Sequence, residues 1–156
     1  MRCRLFCLAL AFVLGTSILS GCGPGRATDL IDTEWTLISL KGKDLIEDTE
    51  ITLYFKEDYL GGSMTCNNYG GGPDSGKYEA TGRGTLEINQ LAVTVQDCSK
   101  PEGIMEQEAA YIEALRNAAT YRVMDGRLEI DDAAGETTLI FRRPSSLPER
   151  GEKNRL

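Results

Sequence analysis

Gly61-Gly62-Ser63-Met64-Thr65-Cys66-Asn67-Asn68-Tyr69-Gly70 combines the signals of a strand, a turn and a cross-link in one short stretch. The segment from Leu60 to Cys66 is predicted to be a strand. Glycines inside a strand indicate a bulge, a sharp bend or the close approach of another backbone. The segment from Asn68 to Gly76 is predicted to be a flexible loop, since it contains four glycines, Pro73 and Asp74.

The polar residues at the end of this stretch are the candidate binding residues of the chain. Asn67, Asn68 and Tyr69 could together form a recognition patch. Alternatively, the asparagines satisfy a tight turn, because Asn tolerates left-handed backbone angles and hydrogen-bonds locally. We favour the turn and keep the patch as the binding hypothesis.

The thiol of Cys66 has a candidate partner in Cys98. A disulfide, a redox pair and a metal site are the alternatives. The C-x-x-C spacing that is typical of redox pairs is absent, and the chain has no histidine to complete a metal site. We therefore predict no metal site and a structural disulfide. It would close a loop of about 33 residues and stabilise the domain by roughly 3–4 kcal/mol.

The first residues of the chain have the order of an export signal. A basic start at Met1-Arg2-Cys3-Arg4 is followed by an apolar run from Leu5 to Leu14 and then by small residues, so residues 1–21 are predicted to be a signal peptide. The apolar run is shorter than the roughly 20 residues of a membrane span. Export places the remaining cysteines outside the cytoplasm, where disulfides persist.

A lipid anchor is predicted at Cys22. The sequence Leu19-Ser20-Gly21-Cys22 resembles the bacterial lipobox, in which the cysteine is acylated and becomes the first mature residue. Residues 22–29 would then form a lipidated tether, and several acyl chains on one residue give stable anchoring. The alternative is an ordinary signal peptide with an incidental Cys22. Gly23 is not aspartate, which in a Gram-negative host favours the outer membrane, facing the periplasm.

Composition excludes several classes of function. The 156 residues include no histidine, so a Ser-His or Cys-His nucleophile is impossible. The 17 basic and 24 acidic residues give a net charge of −7. Nucleic acid is therefore not expected as a partner, because phosphate binding needs clustered Lys and Arg. No cofactor is expected either.

Short alternating segments dominate the mature chain and predict antiparallel strands. Ile51, Leu53 and Phe55 are predicted to share one face of a strand. Asp125-Gly126 is a strong hairpin signal between two alternating runs. The other predicted strands lie near residues 35–40, 77–81, 85–88, 91–95, 120–124, 127–130 and 137–141.

One amphipathic helix is predicted after Cys98. Ser99 and Glu102 have the spacing of a capping box, with Pro101 in the first turn. Glu108 is assigned to the wet side of this helix, together with Glu106, Glu113 and Arg116. The predicted apolar stripe consists of Met105, Ala109, Ile112, Leu115 and Ala119.

The resulting fold class is α+β and mainly antiparallel β. We predict a small curled sheet or open barrel of about eight strands with one amphipathic helix. The domain is predicted to span residues 30–143. Residues 144–156 are predicted to be a disordered tail, since they contain few apolar residues to bury.

A match to the phosphate-binding loop pattern is rejected. Gly71 to Lys77 has the spacing G-x-x-x-x-G-K, but Tyr78 follows where a Ser or Thr hydroxyl would bind magnesium. The residues after the loop also read as a strand, whereas a phosphate-binding loop opens a helix.

The order of these features resembles the META domain, the family that includes HslJ-like heat-shock lipoproteins. The resemblance covers Leu30 to Arg143, and Thr65 before the cysteine is a departure from the expected pattern. The residues that carry it are Trp35-Thr36-Leu37, Ile51-Thr52-Leu53-Tyr54-Phe55, Gly62-Ser63-Met64-Thr65-Cys66-Asn67-Asn68-Tyr69, Leu91-Ala92-Val93-Thr94 with Cys98, and Leu139-Ile140-Phe141. The resemblance implies a small α+β fold, export, and a link to stress response, and it carries over no catalytic residue.

Together these features predict an exported, lipid-anchored, non-enzymatic protein of the cell envelope. Its partners would be the membrane, through Cys22, and an envelope protein. It would act as a binding or stress-tolerance module. The alternative is a protease inhibitor or chaperone-like periplasmic module that uses the Asn67 to Gly76 loop. A carboxylate-based hydrolase lacks a recognisable pair of acids.

Overall fold

The computed structural model of the chain describes residues 29–144. The predicted signal peptide, the lipidation site Cys22 and all of the tether except Asp29 lie outside these residues. The predicted tail also lies outside them, apart from Pro144.

Nine strands and one helix form the described part of the chain, in an α+β arrangement that is mainly antiparallel, as predicted. Seven strands make one sheet in the order β4-β3-β2-β1-β9-β8-β7, and β5 and β6 make a second. The elements are β1 (Thr33–Leu40), β2 (Thr52–Phe55), β3 (Leu60–Ser63), β4 (Asn68–Gly70), β5 (Tyr78–Ala80), β6 (Leu86–Ile88), α1 (Ile104–Arg116), β7 (Ala118–Met124), β8 (Arg127–Asp132) and β9 (Thr137–Arg142).

The large sheet curls around one core without closing into a barrel. Single backbone bridges connect the small sheet to the large one, Tyr59 with Lys77 and Thr85 with Thr120. The inward faces of the strands and one side of α1 fill the space between them with apolar side chains. No helix between residues 29 and 144 is long and apolar enough to cross a membrane.

Alternation along the chain places the core residues as expected in β2. Ile51, Leu53 and Phe55 are all fully buried, which confirms their shared face. In β1 the alternation is interrupted, because the register with β9 shifts between Leu37 and Ser39. This bulge turns Leu40 inward, whereas uninterrupted alternation assigns it to the outer face.

The hairpins follow their turn residues. Asp125 and Gly126 adopt φ angles of 52° and 74°, as the tight turn between β7 and β8 requires. The β5–β6 hairpin is also confirmed.

The glycine-rich segment is more ordered than its composition suggests. Asn68–Gly70 pairs with β3, so the prediction of a loop starting at Asn68 is wrong for its first three residues. The following loop packs back on Leu60, which accepts from the Gly71 N–H and donates its own N–H to Gly76. A Cβ atom at Gly70 would lie 2.2 Å from the Leu60 carbonyl oxygen, so the glycine permits this close approach.

The start of the helix differs from the prediction. The predicted capping box of Ser99 and Glu102 is wrong, because the N-cap is Gly103 with φ 83° and no side chain caps the first turn. The Ile104 N–H bonds to the Pro101 carbonyl, so the chain makes a turn there before the helix begins. The left-handed Gly103 carries the chain from this turn into α1.

The buried face of the helix is rotated by about one residue from the predicted stripe. Ile104, Glu108, Tyr111 and Leu115 are buried, at steps of four, three and four residues. Of the predicted stripe, Ile112 and Leu115 are buried as predicted, Met105 and Ala109 lie on the neighbouring, more exposed face, and Ala119 lies in β7. Glu108 is buried, contrary to its predicted place on the wet side, because the interior supplies it with hydrogen-bond donors.

Candidate functional site

The two cysteines meet beside the start of the helix. The Sγ atoms of Cys66 and Cys98 are 1.94 Å apart, and their Cα atoms are 6.1 Å apart, as a disulfide. This pair joins the turn between β3 and β4 to the segment that leads into α1. The structure therefore brings together the pair that the sequence predicts.

A buried carboxylate organises the same turn. The backbone N–H groups of Cys66 and Asn67 donate to Glu108 Oε1 over 2.6 and 3.2 Å. The Asn67 side-chain Nδ2 donates to Glu108 Oε2 over 2.9 Å. Glu108 is only 3% exposed, so its charge is balanced by these three donors rather than by water.

The amide of Asn67 extends the network to a third segment. Its Oδ1 accepts from Thr94 Oγ1 and from the backbone N–H of Gln96, over 2.9 and 2.8 Å. Its Nδ2 also donates to the Gln96 carbonyl over 3.1 Å. The Asn67 side chain thus makes the hydrogen bonds to the Gln96 backbone that a neighbouring strand would make. Each of its polar atoms has a hydrogen-bond partner.

The proposed binding patch is mostly interior. Asn67 and Tyr69 are 4% and 3% exposed, and only Asn68 is exposed. The Tyr69 hydroxyl donates to the Thr52 carbonyl over 2.6 Å, and it therefore accepts from the Tyr111 hydroxyl at 2.6 Å. Asn67 and Tyr69 hold the site together, and Asn68 alone of the three can reach a partner in this conformation.

The tyrosine pair is not suited to acid–base chemistry near neutral pH. Burial raises the pKa of Tyr69 well above its ordinary value, and the neighbouring Tyr111 adds to this increase. Burial also raises the pKa of Tyr111. Both hydroxyls therefore stay protonated and act as hydrogen-bonding groups.

An open groove lies beside this network, between α1 and residues 93–96. Its volume is about 480 Å³, which lies in the range of ligand-binding clefts. Asn67 and Glu108 contribute polar atoms to its lining. The apolar lining comes from Met64, Val93, Val95, Met105, Ala109 and Ile112.

The rim of the groove includes one almost fully exposed apolar side chain. Of the large apolar side chains between Asp29 and Pro144, Val95 is the most exposed, at 98%. Arg116 also lines the groove, where its Nη2 donates to the Leu91 carbonyl over 3.1 Å. An exposed apolar surface next to a concave wall is typical of a binding site.

Other chemistry finds little support among the described residues. Between positions 29 and 144, no group of three or more Cys, Asp or Glu side chains is arranged to hold a metal ion. The residues after Gly76 form β5 rather than a helix, consistent with rejecting the phosphate-binding loop.

Sequence reasoning misses the most important residue of this site. Glu108 shares the steps of four, three and four residues that relate Ile104, Tyr111 and Leu115. That spacing is the signal that could have found it, since a carboxylate on a core-facing stripe needs buried donors.

Replacing Glu108 with Gln should destabilise the domain by about 2–3 kcal/mol. The glutamine side-chain amide would place a hydrogen-bond donor opposite donors of the turn. The Asn67 amide cannot flip to compensate, because its Oδ1 already accepts hydrogen bonds from other groups. Urea unfolding, followed by the fluorescence of buried Trp35, measures this change. The control Glu113→Gln should change stability by less than about 0.5 kcal/mol, because its ion pair with Lys41 is largely exposed. Equal effects of the two substitutions would contradict the structural role of Glu108.

The disulfide should contribute about 3–4 kcal/mol to the free energy of unfolding, given the length of the loop that it closes. Cys98→Ser should lower stability by this amount relative to the unreduced wild type. Peptide mapping after alkylation in denaturant, without reductant, should recover Cys66 and Cys98 in one linked product. Alkylation of both residues would contradict the pairing.

Comparison with solved structures places the chain among known folds. A protein from Burkholderia xenovorans, solved by NMR, is 21% identical with a TM-score of 0.58, over 94% of this chain and all of that one. Another NMR structure is 24% identical with a TM-score of 0.56, covering 74% of this chain and 92% of that one. A DUF4847 family protein from Bacteroides vulgatus is 17% identical with a TM-score of 0.53, covering 76% and 96%. These similarities show a shared fold.

The family follows from the sequence as a whole. No curated protein matches the chain. The family model of the META domain matches residues 28–145, a span that contains every strand, the helix, both cysteines and the groove. The chain belongs to the META domain family.

Proposed function

We propose that this protein is an exported, lipid-anchored and non-enzymatic component of the cell envelope, whose domain binds a ligand in the groove between α1 and residues 93–96. The groove is the observation that carries the binding role. Its lining combines an apolar wall with a rigid polar network, and a concave apolar site with a few fixed polar groups is the usual form of a ligand site.

The anchoring part of the proposal rests on the leader. The lipobox-like Leu19-Ser20-Gly21-Cys22 supports acylation at Cys22, and in a Gram-negative host Gly23 favours the outer membrane. The first described residue, Asp29, accepts a hydrogen bond from the Tyr121 hydroxyl and does not line the groove.

The non-enzymatic part of the proposal rests on chemistry. The chain has no histidine, and its buried tyrosines have raised pKa values. The one buried carboxylate of the groove is occupied by three donors. Neither the protonated tyrosines nor the occupied carboxylate is free to act as a general base.

A chaperone-like module is the second candidate. Val95, at 98% exposure on the groove rim, favours it, because exposed apolar surface attracts unfolded segments. The Asn67 to Gly76 loop gives less support to an inhibitor. Residues 68–70 are paired with β3, and Gly71 and Gly76 are hydrogen-bonded to Leu60, so both ends of the remaining loop are fixed to the sheet.

Anchoring predicts incorporation of an alkyne-tagged fatty acid during growth. The wild type should be labelled and Cys22→Ala should lose the label, because the thiol is the acceptor. Cys7→Ala, which removes a cysteine of the leader, is the matched control and should keep the label. Equal labelling of wild type and Cys22→Ala would rule out the anchor.

Groove binding predicts a fluorescence increase when the apolar probe N-phenylnaphthylamine is added. Ala109→Phe should weaken this binding at least tenfold, because Ala109 lines the groove and a larger ring would fill it. Ala134→Phe, in the exposed turn between β8 and β9, is the control and should leave the titration unchanged. The rest of the chain contributes the same background in each variant. Identical titrations for all three proteins would exclude the groove as a ligand site.

A further inference from the structure

One wall of the groove is a segment, residues 93–96, that lies beside β4. Tyr69 and Val93 form an antiparallel bridge. On either side of it, the Thr94 N–H donates to the Asn68 carbonyl over 3.0 Å and the Gly70 N–H donates to the Ala92 carbonyl over 2.9 Å. Backbone groups of successive residues in an extended strand face opposite edges. Residues 92 and 94 therefore face β4, and Val93 and Val95 face the other way.

The free edge faces the helix. Leu91 belongs to the same outward-facing set, and its carbonyl accepts from Arg116 of α1. Beyond that contact, the backbone groups on this edge are available for hydrogen bonds. Across residues 29–144, nothing hydrogen-bonds to the backbone N–H or C=O of Val93 or Val95. Val93 and Val95 both line the groove, together with residues of α1.

The opposite wall is the side of α1 next to its core face. Met105 and Ala109 line the groove there with half-buried and exposed side chains, and Ile112, which is buried in the core, also lines it. A strand placed in the groove would therefore meet backbone partners on one side and apolar side chains on the other.

We propose that the groove binds an extended segment of a partner polypeptide, which adds a strand to the Val93–Val95 edge. This inference rests on the proposed function and names the class of ligand. The segment would exchange backbone hydrogen bonds with Val93 and Val95, while alternate side chains pack against Met105, Ala109 and Ile112. Strand addition obtains affinity from the backbone and specificity from the alternate side chains.

The free backbone groups favour a polypeptide over an acyl chain. An acyl chain could fill the apolar space, but it has no donors or acceptors for Val93 and Val95. Only a backbone offers both at the spacing of a strand.

Charge defines the composition of the segment. The ionised groups that line the groove are Glu108, Glu113 and Arg116, and each already has a partner within the domain. A basic residue inside the groove would find both carboxylates already occupied, and the apolar lining favours uncharged, apolar residues in the bound segment. The net charge of −7 attracts Lys or Arg on the flanks and disfavours a second copy of this chain.

The test uses a labelled peptide of the sequence Lys-Val-Thr-Val-Thr-Val-Lys with the full-length protein. Two further peptides carry N-methyl groups on alternate residues, one set along each edge of the strand. Fluorescence anisotropy should show binding of the unmodified peptide. One methylation pattern should weaken binding tenfold or more (about 1.4 kcal/mol), and the other should not. Methylation leaves the protein untouched, so a folding defect cannot produce this difference.

Protein variants give the reciprocal test. Val95→Pro removes one outward N–H and should weaken peptide binding about tenfold. Val95→Thr keeps the N–H and the branched shape and should bind within about threefold of the wild type. Ala109→Phe should compete with the peptide for space and weaken binding at least tenfold.

Several outcomes would overturn strand addition while leaving the proposed function in place. Equal binding of both methylated peptides and the unmodified one would show recognition without the edge. Binding of N-phenylnaphthylamine but of no peptide would indicate an acyl-chain ligand. Concentration-dependent dimers that Val95→Pro abolishes, without peptide binding, would identify a second copy as the occupant. If neither probe binds, both the inference and the groove's proposed function fail.

Discussion

The hydrogen bonds to the Glu108 carboxylate hold the groove in shape. They come from the turn at Cys66 and Asn67, so the helix and the turn are fixed to each other through a single buried charge. Such a charge is costly to bury without donors, and with them it allows few alternative arrangements. Asn67 extends the same hydrogen-bond network to Thr94 and Gln96 and so fixes their position as well. Both walls of the groove are therefore held in position by the same carboxylate.

That constraint also explains why the groove stays open. Glu108 can reach its donors only if its side of α1 faces the turn, and this orientation takes Ile104, Tyr111 and Leu115 inward with it. Met105 and Ala109 on the adjacent face are left half-buried and exposed along the groove, and Ile112 beside them is buried. The disulfide joins the same turn to the segment before the helix, so the wall at residues 93–96 is held from both ends.

The local features of the fold could be predicted because they depend on residues that are neighbours in the sequence. Alternation in β2, the Asp125-Gly126 turn and the existence of one helix all need only short windows of sequence. The burial of Glu108 and Asn67 depends on partners 41 residues apart in the chain. Residue type suggests that both are exposed, and only the assembled fold supplies their donors and acceptors. The sequence therefore places the candidate site near Cys66, whereas the exposed surface of the site belongs to the helix and to Val95.

The role of Asn67 connects the stability of the domain with its binding surface. An amide carries both a donor and an acceptor, so one side chain can satisfy the N–H and the carbonyl of Gln96 together. Residues 93–96 are thereby held on their inner edge, and no strand between Asp29 and Pro144 pairs with their outer edge. The outer edge at Val93 and Val95 keeps its hydrogen-bonding capacity as a consequence. A buried polar residue that looks purely structural thus helps to hold the extended segment to which we propose that another chain binds.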